Sequence, residues 1–319
     1  MASEDQNQVA DPQSDASDEE KENDEESVEL RVLDPDTIDL DLQHGRIAKI
    51  ENLEGLTQLE TLSLRWNMIK TIENLSNLGA TLRELELYDN QISKLENLES
   101  LVNLEILDVS HNRIRKIEGL ENLTKLKKLY LVSNKINKIE NVSHLKELTM
   151  IELGDNRIRT IENLDGLTSL TELFLGKNKI NKLAGLESLT TLELVSLQAN
   201  RIIKIEGLNT LSNLEQLYLA DNGIETIENL DDNTALETLE LANNRISSLN
   251  GLEKLVKVDD FWFNGNKVSD WNEIEKLRCM TSLQTVYFEQ NPIYKDSSYR
   301  TKMKLALPNL IQIDATPCR

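Results

Sequence analysis

"LETLSLRWNMI", residues 59–69, decides how this chain folds. Leu62 and Leu64 stand two apart, the spacing at which side chains of an extended strand share a face. Leu59 precedes them by three residues and Ile69 follows Leu64 by five, with Asn67 between, so the alternation does not extend beyond the centre of the segment. A strand this short has no independent stability. Its meaning comes from repetition.

The phrase L-x-x-L-x-L-x-x-N-x-I returns as "LRELELYDNQI" (82–92), "LEILDVSHNRI" (104–114), "LKKLYLVSNKI" (126–136) and seven further copies, ending with "VDDFWFNGNKV" and "LQTVYFEQNPI". Its asparagines are Asn67, Asn90, Asn112, Asn134, Asn156, Asn178, Asn200, Asn222, Asn244, Asn266 and Asn291, spaced by 23, then 22 eight times, then 25 residues. A degenerate first copy, "IDLDLQHGRI", carries Gly45 in the asparagine position and completes twelve. This is a leucine-rich repeat. One copy cannot bury its own apolar face, so copies stack into a solenoid. The expected fold is α/β: a curved solenoid of about twelve repeats, with parallel strands on the concave face and a C-terminal cap. Apolar residues three apart in the "IENLxxL" half predict 3-10 or short helical turns on the convex face. The asparagine amide is expected to be buried and to bond main-chain groups of neighbouring coils. The domain reading is an acidic disordered tail over 1–29, the solenoid over 30–291 and the cap over 292–319. In the cap, a helix around 298–307 is expected to bury Leu305 and Leu307, and "RVLDPDTIDL" (31–40) is read as the N-terminal cover.

The residue between the second and third apolar positions should face the concave side. Copy by copy it is Ser63, Glu86, Asp108, Tyr130, Glu152, Phe174, Ser196, Tyr218, Glu240, Trp262 and Tyr287. Five of these are aromatic in a chain with 4% aromatic residues, and four are acidic. In "DDFWFNGN" (259–266), Phe261 and Phe263 fill the core while Trp262 points outward, with Asp260 on its side of the strand. An exposed aromatic stripe among acids suits a protein partner whose Lys and Arg meet the carboxylates.

Composition narrows the partners further. The chain has 35 basic and 56 acidic residues, a net charge of −21, which repels nucleic acid and anionic membranes. Residues 1–29 hold twelve Asp or Glu and a single Lys, too polar to offset the entropy of ordering. Ser14 and Ser17, in "SDASDEE", are candidate phosphorylation sites for an acid-directed kinase. The acidic start is no secretory signal, and two cysteines make no disulfide framework, so nucleus and cytoplasm are expected. His44, His111 and His144 fall on different parts of the coil and read as ordinary solvated residues. No metal-ligand spacing or phosphate loop appears, so no cofactor, metal or enzymatic activity is expected.

With the 22-residue period, the "NxIxxIENLxxL" phrasing and the ending "NPIYKDSSYRTKMKLALPNLIQIDAT", residues 30–316 resemble the leucine-rich-repeat regulatory subunits of type-1 protein serine/threonine phosphatase. The resemblance implies a concave face that grips the phosphatase catalytic subunit through Asp108, Tyr130, Glu152, Phe174, Glu240, Asp260, Trp262 and Tyr287, with Tyr130 replacing an expected Phe. Tyr218 joins them from its place in the column. Roles in maturation or inhibition of the phosphatase and in chromosome segregation at mitosis are likewise implied, and a third regulatory protein is a further partner to consider. "RVLD", "KVDD" and "KVSD" lack the aromatic of the short docking motif common among phosphatase regulators, so docking is expected through the arc. The alternatives are a repeat scaffold for another folded partner, spliceosomal or ciliary and cytoskeletal.

Deleting residues 1–29 is expected to leave the thermal midpoint within a few degrees of the intact chain, measured by differential scanning calorimetry; a larger drop would mean that the segment packs on the repeats.

Overall fold

The computed structural model describes residues 34–318; residues 1–29 with Ser14 and Ser17, and residues 31–33 of the N-terminal cover, lie outside it. Twelve three-residue strands follow in chain order: β1 (Asp39–Asp41), β2 (Thr61–Ser63), β3 (Glu84–Glu86), β4 (Ile106–Asp108), β5 (Lys128–Tyr130) and β6 (Met150–Glu152), then β7 (Glu172–Phe174), β8 (Leu194–Ser196), β9 (Gln216–Tyr218), β10 (Thr238–Glu240), β11 (Asp260–Trp262) and β12 (Thr285–Tyr287). Each pairs in parallel with the next in unshifted register, so equivalent repeat positions lie side by side.

The core is a column of leucines and isoleucines, one set per coil. Leu85, Leu107, Leu129, Leu173 and their equivalents are fully buried. Towards the C-terminus Phe261, Phe263 and Phe288 replace leucines, with ring centroids 5.1–5.8 Å apart.

The asparagines do what their position demands. The residue before each of them, and His44 before Gly45, adopts a left-handed conformation, φ between +51° and +71°, which turns the chain out of the strand. That conformation costs a non-glycine residue roughly 1–2 kcal/mol. The asparagine offsets it. Asn156 Nδ2 reaches the carbonyls of Leu153 and Gly154 in its own coil, both at 3.1 Å, and of Leu131 in the preceding coil at 2.9 Å. Its Oδ1 accepts the Ile136 N–H of that coil at 3.0 Å. Asn90, Asn112, Asn134 and Asn178 repeat the pattern.

A second ladder runs along the convex side. In "IEN", or "LEN" at Asn97, the asparagine is again left-handed, and Asn74, Asn97, Asn141, Asn163 and Asn229 each donate to an isoleucine carbonyl of the coil before at 2.6–2.7 Å. Where glycine takes the position, as at Gly119 (φ +71°), a Cβ would stand 2.7 Å from the Leu95 carbonyl oxygen. Asparagine and glycine alternate here because both tolerate positive φ.

The convex side carries the expected short turns, with continuous helix confined to a few places. Coils of 22 residues cross it in plain turns. A 3-10 helix forms at Ser76–Leu78, inside the 23-residue interval, and α1 (Trp271–Glu275) with a 3-10 turn at Lys276–Cys279 fills the 25-residue interval. The 22-residue coils close isolated 3-10-type bonds, as from the Leu123 N–H to the Leu120 carbonyl at 3.0 Å, and the longer coils join such bonds into helix.

The C-terminal cap differs from its expectation. α2 (Tyr299–Ala306) buries Tyr299, Met303 and Ala306, its 3.6-period face. Leu307 is buried beyond its end, but Leu305 lies off that face and is 73% exposed. The chain then adds β13 (Gln312–Ile313), parallel to β12, and β14 (Thr316–Pro317), antiparallel to β13. Asp314 Oδ1 accepts the N–H groups of Phe288 (2.9 Å) and Glu289 (3.1 Å), closing the last coil as the asparagines close the others. The buried Tyr299 hydroxyl donates to the same oxygen at 3.3 Å. Burial and the Asp314 carboxylate push its pKa far above the usual phenol range.

Replacing Asn156 by Ala leaves the Ile136 amide unpaired in the middle of the stack and removes one of the two asparagine donors, Asn156 and Asn134, that the Leu131 carbonyl accepts from. Stability is expected to fall by about 1–3 kcal/mol in a urea melt; an unchanged midpoint would remove the ladder from the stability of that coil.

Candidate functional site

The third residue of every strand stands on the outward face of the sheet. From Ser63 to Tyr287 the eleven column residues are direct cross-strand neighbours through β2 to β12. Strands packed about 4.8 Å apart give this face a length on the order of 50 Å. The strand core residues behind it are buried, so the column is a rigid row whose side chains alone are free to meet a partner.

The column divides into two groups. Tyr130, Glu152 and Phe174 are half-buried neighbours on β5 to β7, with Asp108 beside them. Tyr218, Glu240, Trp262 and Tyr287 form the second group on β9 to β12, and Asp260 lies on the same side of β11 as Trp262. Buried Ser196 separates the two. The Trp262 ring stacks on Tyr287 with centroids 4.2 Å apart, and the Tyr287 hydroxyl accepts from Gln312 Nε2 at 2.7 Å. That stack holds the indole upright, and Trp262 keeps 37% of its surface exposed.

The carboxylates differ in their surroundings. Asp108 is buried, accepts the Ser110 N–H at 2.9 Å and lies 3.8 Å from Arg65, which also pairs with Glu86. It is partly spent within the molecule. Glu152 and Glu240 have no cationic partner among the described residues. Burial pushes the Glu152 carboxyl above its ordinary range, and the Asp108 charge adds to this. Burial raises Glu240 in the same direction, opposed by the bond from Gln198 Nε2 at 3.2 Å and reinforced by Asp221. Burial, then neighbouring carboxylates, likewise raises Tyr130 and Tyr218. Between Glu152, Phe174 and Glu240 opens a cleft of about 550 Å³, floored by Gly154 and Gly176. Glu152, Glu240, Asp155 and Asp221 outnumber Lys177 in its lining, which makes the cleft a seat for cationic side chains.

A second aromatic row escaped the sequence reading. His44 stacks on Trp66 (centroids 4.6 Å, planes 3° apart), Trp66 meets Tyr88 edge-on at 5.5 Å, and Tyr88 meets His111 at 4.7 Å. His44, Trp66 and His111 share the left-handed position before the asparagine or its glycine substitute, so the turn swings each outward along one edge. The two histidines are therefore members of a surface stack rather than isolated solvated residues. Their common repeat position was the available signal. Among the described residues no cluster of His, Cys, Asp or Glu is placed to hold a metal, and no helix is long and apolar enough to cross a membrane.

Comparison with known proteins agrees with this architecture. A family model described as leucine-rich repeats in two copies matches residues 80–122, 102–147 and 146–189, and a further leucine-rich-repeat model matches 193–316. Protein phosphatase 1 regulatory subunit 7 of Xenopus tropicalis is 54% identical over 49 residues, and that of Homo sapiens is 54% identical over 49. Each match covers 15% of this chain and 14% of the relative. Protein phosphatase 1 regulatory subunit SDS22 of Schizosaccharomyces pombe is 47% identical over 60 residues, 18% of either chain. The chain thus spans less than a fifth of the length of these curated relatives. Among solved structures, an internalin of Listeria monocytogenes aligns with TM-score 0.77 and 28% identity over 86% of this chain and 79% of its own. A leucine-rich-repeat protein of Leptospira interrogans aligns with TM-score 0.66 and 23% identity, over 82% and 74%.

Carboxyls whose pKa is raised on folding favour the folded state below their unfolded pKa, and this contribution is lost as pH rises through the folded value. Glu152→Gln and Glu240→Gln are therefore expected to raise the thermal midpoint at pH 7 and to leave it unchanged near pH 4. Equal effects at both values would show that their burial carries no electrostatic cost.

Proposed function

Because the chain belongs to the leucine-rich-repeat proteins, which hold their strands in one continuous face, we propose that it is a non-catalytic regulatory subunit that binds the catalytic subunit of type-1 protein serine/threonine phosphatase through that face. The observation that carries the reading is the in-register aromatic and acidic column, with Glu152 and Glu240 half-buried and without a cationic partner among the described residues. The names of the relatives support the choice of partner.

Half-burying a carboxylate without a cation lowers stability in the free protein. A partner that supplies Lys or Arg removes that cost on binding, while solvent is excluded from the pair. Trp262 and Tyr287 supply the other half of the interface. An exposed indole fixed by a stacked neighbour loses little side-chain entropy when it docks, and tryptophan and tyrosine are the usual anchors of protein interfaces. In this reading Asp108, Tyr130, Glu152 and Phe174 form one contact and Tyr218, Glu240, Asp260, Trp262 and Tyr287 the other. Control of the phosphatase's maturation, activity or location, action at mitosis and residence in nucleus and cytoplasm belong to the same proposal and come from the resemblance.

Trp262→Ala removes an anchor typically worth 2 kcal/mol or more, and Glu152→Ala removes a desolvated charge. Each is expected to weaken capture of purified phosphatase catalytic subunit by roughly tenfold or more, about 1.4 kcal/mol per decade, with the circular dichroism spectrum retained. Lys138→Ala, on the convex side, serves as the control. Wild-type binding by both folded variants would refute docking on the strand face.

A further inference from the structure

The residue after each ladder asparagine forms a column that the strand face does not use. It is Arg113, Lys135, Arg157, Lys179 and Arg201 in five successive coils, then Gly223, then Arg245 and Lys267. Main-chain bonds fix the alignment. The N–H groups of Arg113, Lys135, Arg157, Lys179 and Arg201 each donate at 2.8 Å to the isoleucine carbonyl of the coil before. Each basic residue lies between a ladder asparagine and a buried isoleucine, both turned inward, so its own side chain points out. One cation therefore stands on each of five successive coils, about 4.8 Å from the next, whereas Met68, Gln91, Gly223 and Pro292 take the same position in other coils.

Like charges at that separation repel well inside a Debye length of about 8 Å. Yet none of these seven residues is in an ion pair among the described residues. Three lysines of the convex side do find partners: Lys94, Lys116 and Lys138 pair with Glu96 (3.1 Å), Glu118 (3.6 Å) and Glu140 (3.9 Å). Acids do stand near the column, but Asp155 and Asp221, two residues before Arg157 and Gly223, already accept bonds from Ser133 (2.7 Å) and Asn243 (3.0 Å). An unpaired cationic file in a chain of net charge −21 is a concentrated positive feature on an acidic surface.

We infer that this edge is a second docking strip, for an extended acidic segment of a partner polypeptide. Its five unbroken cations span roughly 20 Å, the reach of about six extended residues at 3.3–3.4 Å each. Arg115, Arg159 and Lys177 stand two residues from the column and reinforce it, while the rest of the surface carries the chain's excess of acids. A narrow peptide can lie along it without approaching them, whereas a duplex or a lipid surface carries its negative charge outward on both sides. The gap at Gly223 points the same way. A Cβ there would meet Ile203 Cγ2 at 3.2 Å, and Ile203 is 66% exposed, so an apolar contact sits between the two groups of cations. An acidic peptide with one apolar side chain matches that order, and a phosphate backbone does not.

The test is fluorescence anisotropy on the full chain with a labelled synthetic peptide of glutamates bearing one central leucine. The wild-type chain is expected to bind it and to lose roughly tenfold in affinity between about 50 and 200 mM salt. Lys135→Glu, Arg157→Glu and Lys179→Glu combined should lower affinity by roughly tenfold at the lower salt. Lys94→Glu, Lys116→Glu and Lys138→Glu combined change net charge equally and should bind like wild type. Ile203→Ser should weaken the leucine peptide and leave an all-glutamate peptide unaffected. Absence of wild-type binding, or equal loss in both triple variants, overturns the strip. Tighter binding of duplex DNA or phosphatidylserine vesicles than of the peptide, abolished by the first triple variant, overturns the assignment to a polypeptide.

Discussion

One asparagine side chain joins each pair of neighbouring coils, and everything else in this molecule is arranged around that link. Its amide nitrogen reaches carbonyls of two coils while its oxygen takes an N–H from the coil before. At Asn156 the Ile136 N–H has that oxygen as its partner, while the Leu131 carbonyl is shared by Asn134 and Asn156, and leaving a buried main-chain group unpaired costs more than a typical hydrogen bond gains. The link also sets the separation of the coils. Once the ladder and the leucine column are satisfied, the strands have a single register, and the side chains between them are placed whether or not they interact.

That division of labour explains how a repeat carries function. Positions that close the coil admit leucine, isoleucine, asparagine or glycine and little else. Positions that face solvent are free, and because the register is unshifted, a choice made once per coil becomes a continuous column. The chain presents several: the aromatic and acidic strand face, the His44–Trp66–Tyr88–His111 stack, and the file of cations after the ladder asparagines. The strand face bears a stability cost, since Glu152 and Glu240 are held half-buried with no cationic partner among the described residues. Protein sites of recognition commonly trade stability in this way.

The ends obey different physics from the middle. An interior coil is covered by its neighbours, but the last must hide its own edge. Here α2, β13 and the short antiparallel β14 do so, and Arg300 ties them by donating to the carbonyls of Ile313 (2.8 Å), Thr316 and Pro317 (both 3.2 Å). Asp314 stands in for asparagine as an acceptor alone, taking the N–H groups of Phe288 and Glu289 from the coil before.

The sequence by itself determined the repeat, its twelve copies, the strand positions, the buried set and the membership of the outward column. All of these follow from spacing, because a stacked coil permits one inside and one outside. Tertiary structure decided what spacing does not encode. It kept continuous 3-10 helix out of the 22-residue coils, and it turned Leu305 outward by fixing the buried face of α2 on Tyr299, Met303 and Ala306. It also drew Asp108 into bonds with Ser110 and proximity to Arg65 while leaving Glu152 and Glu240 without a cationic partner among the described residues, though all three hold equivalent positions. Lateral neighbours in a solenoid lie about twenty-two residues apart in sequence, so whether a charge finds a partner depends on side chains of adjacent coils, and only the stacked molecule brings those together.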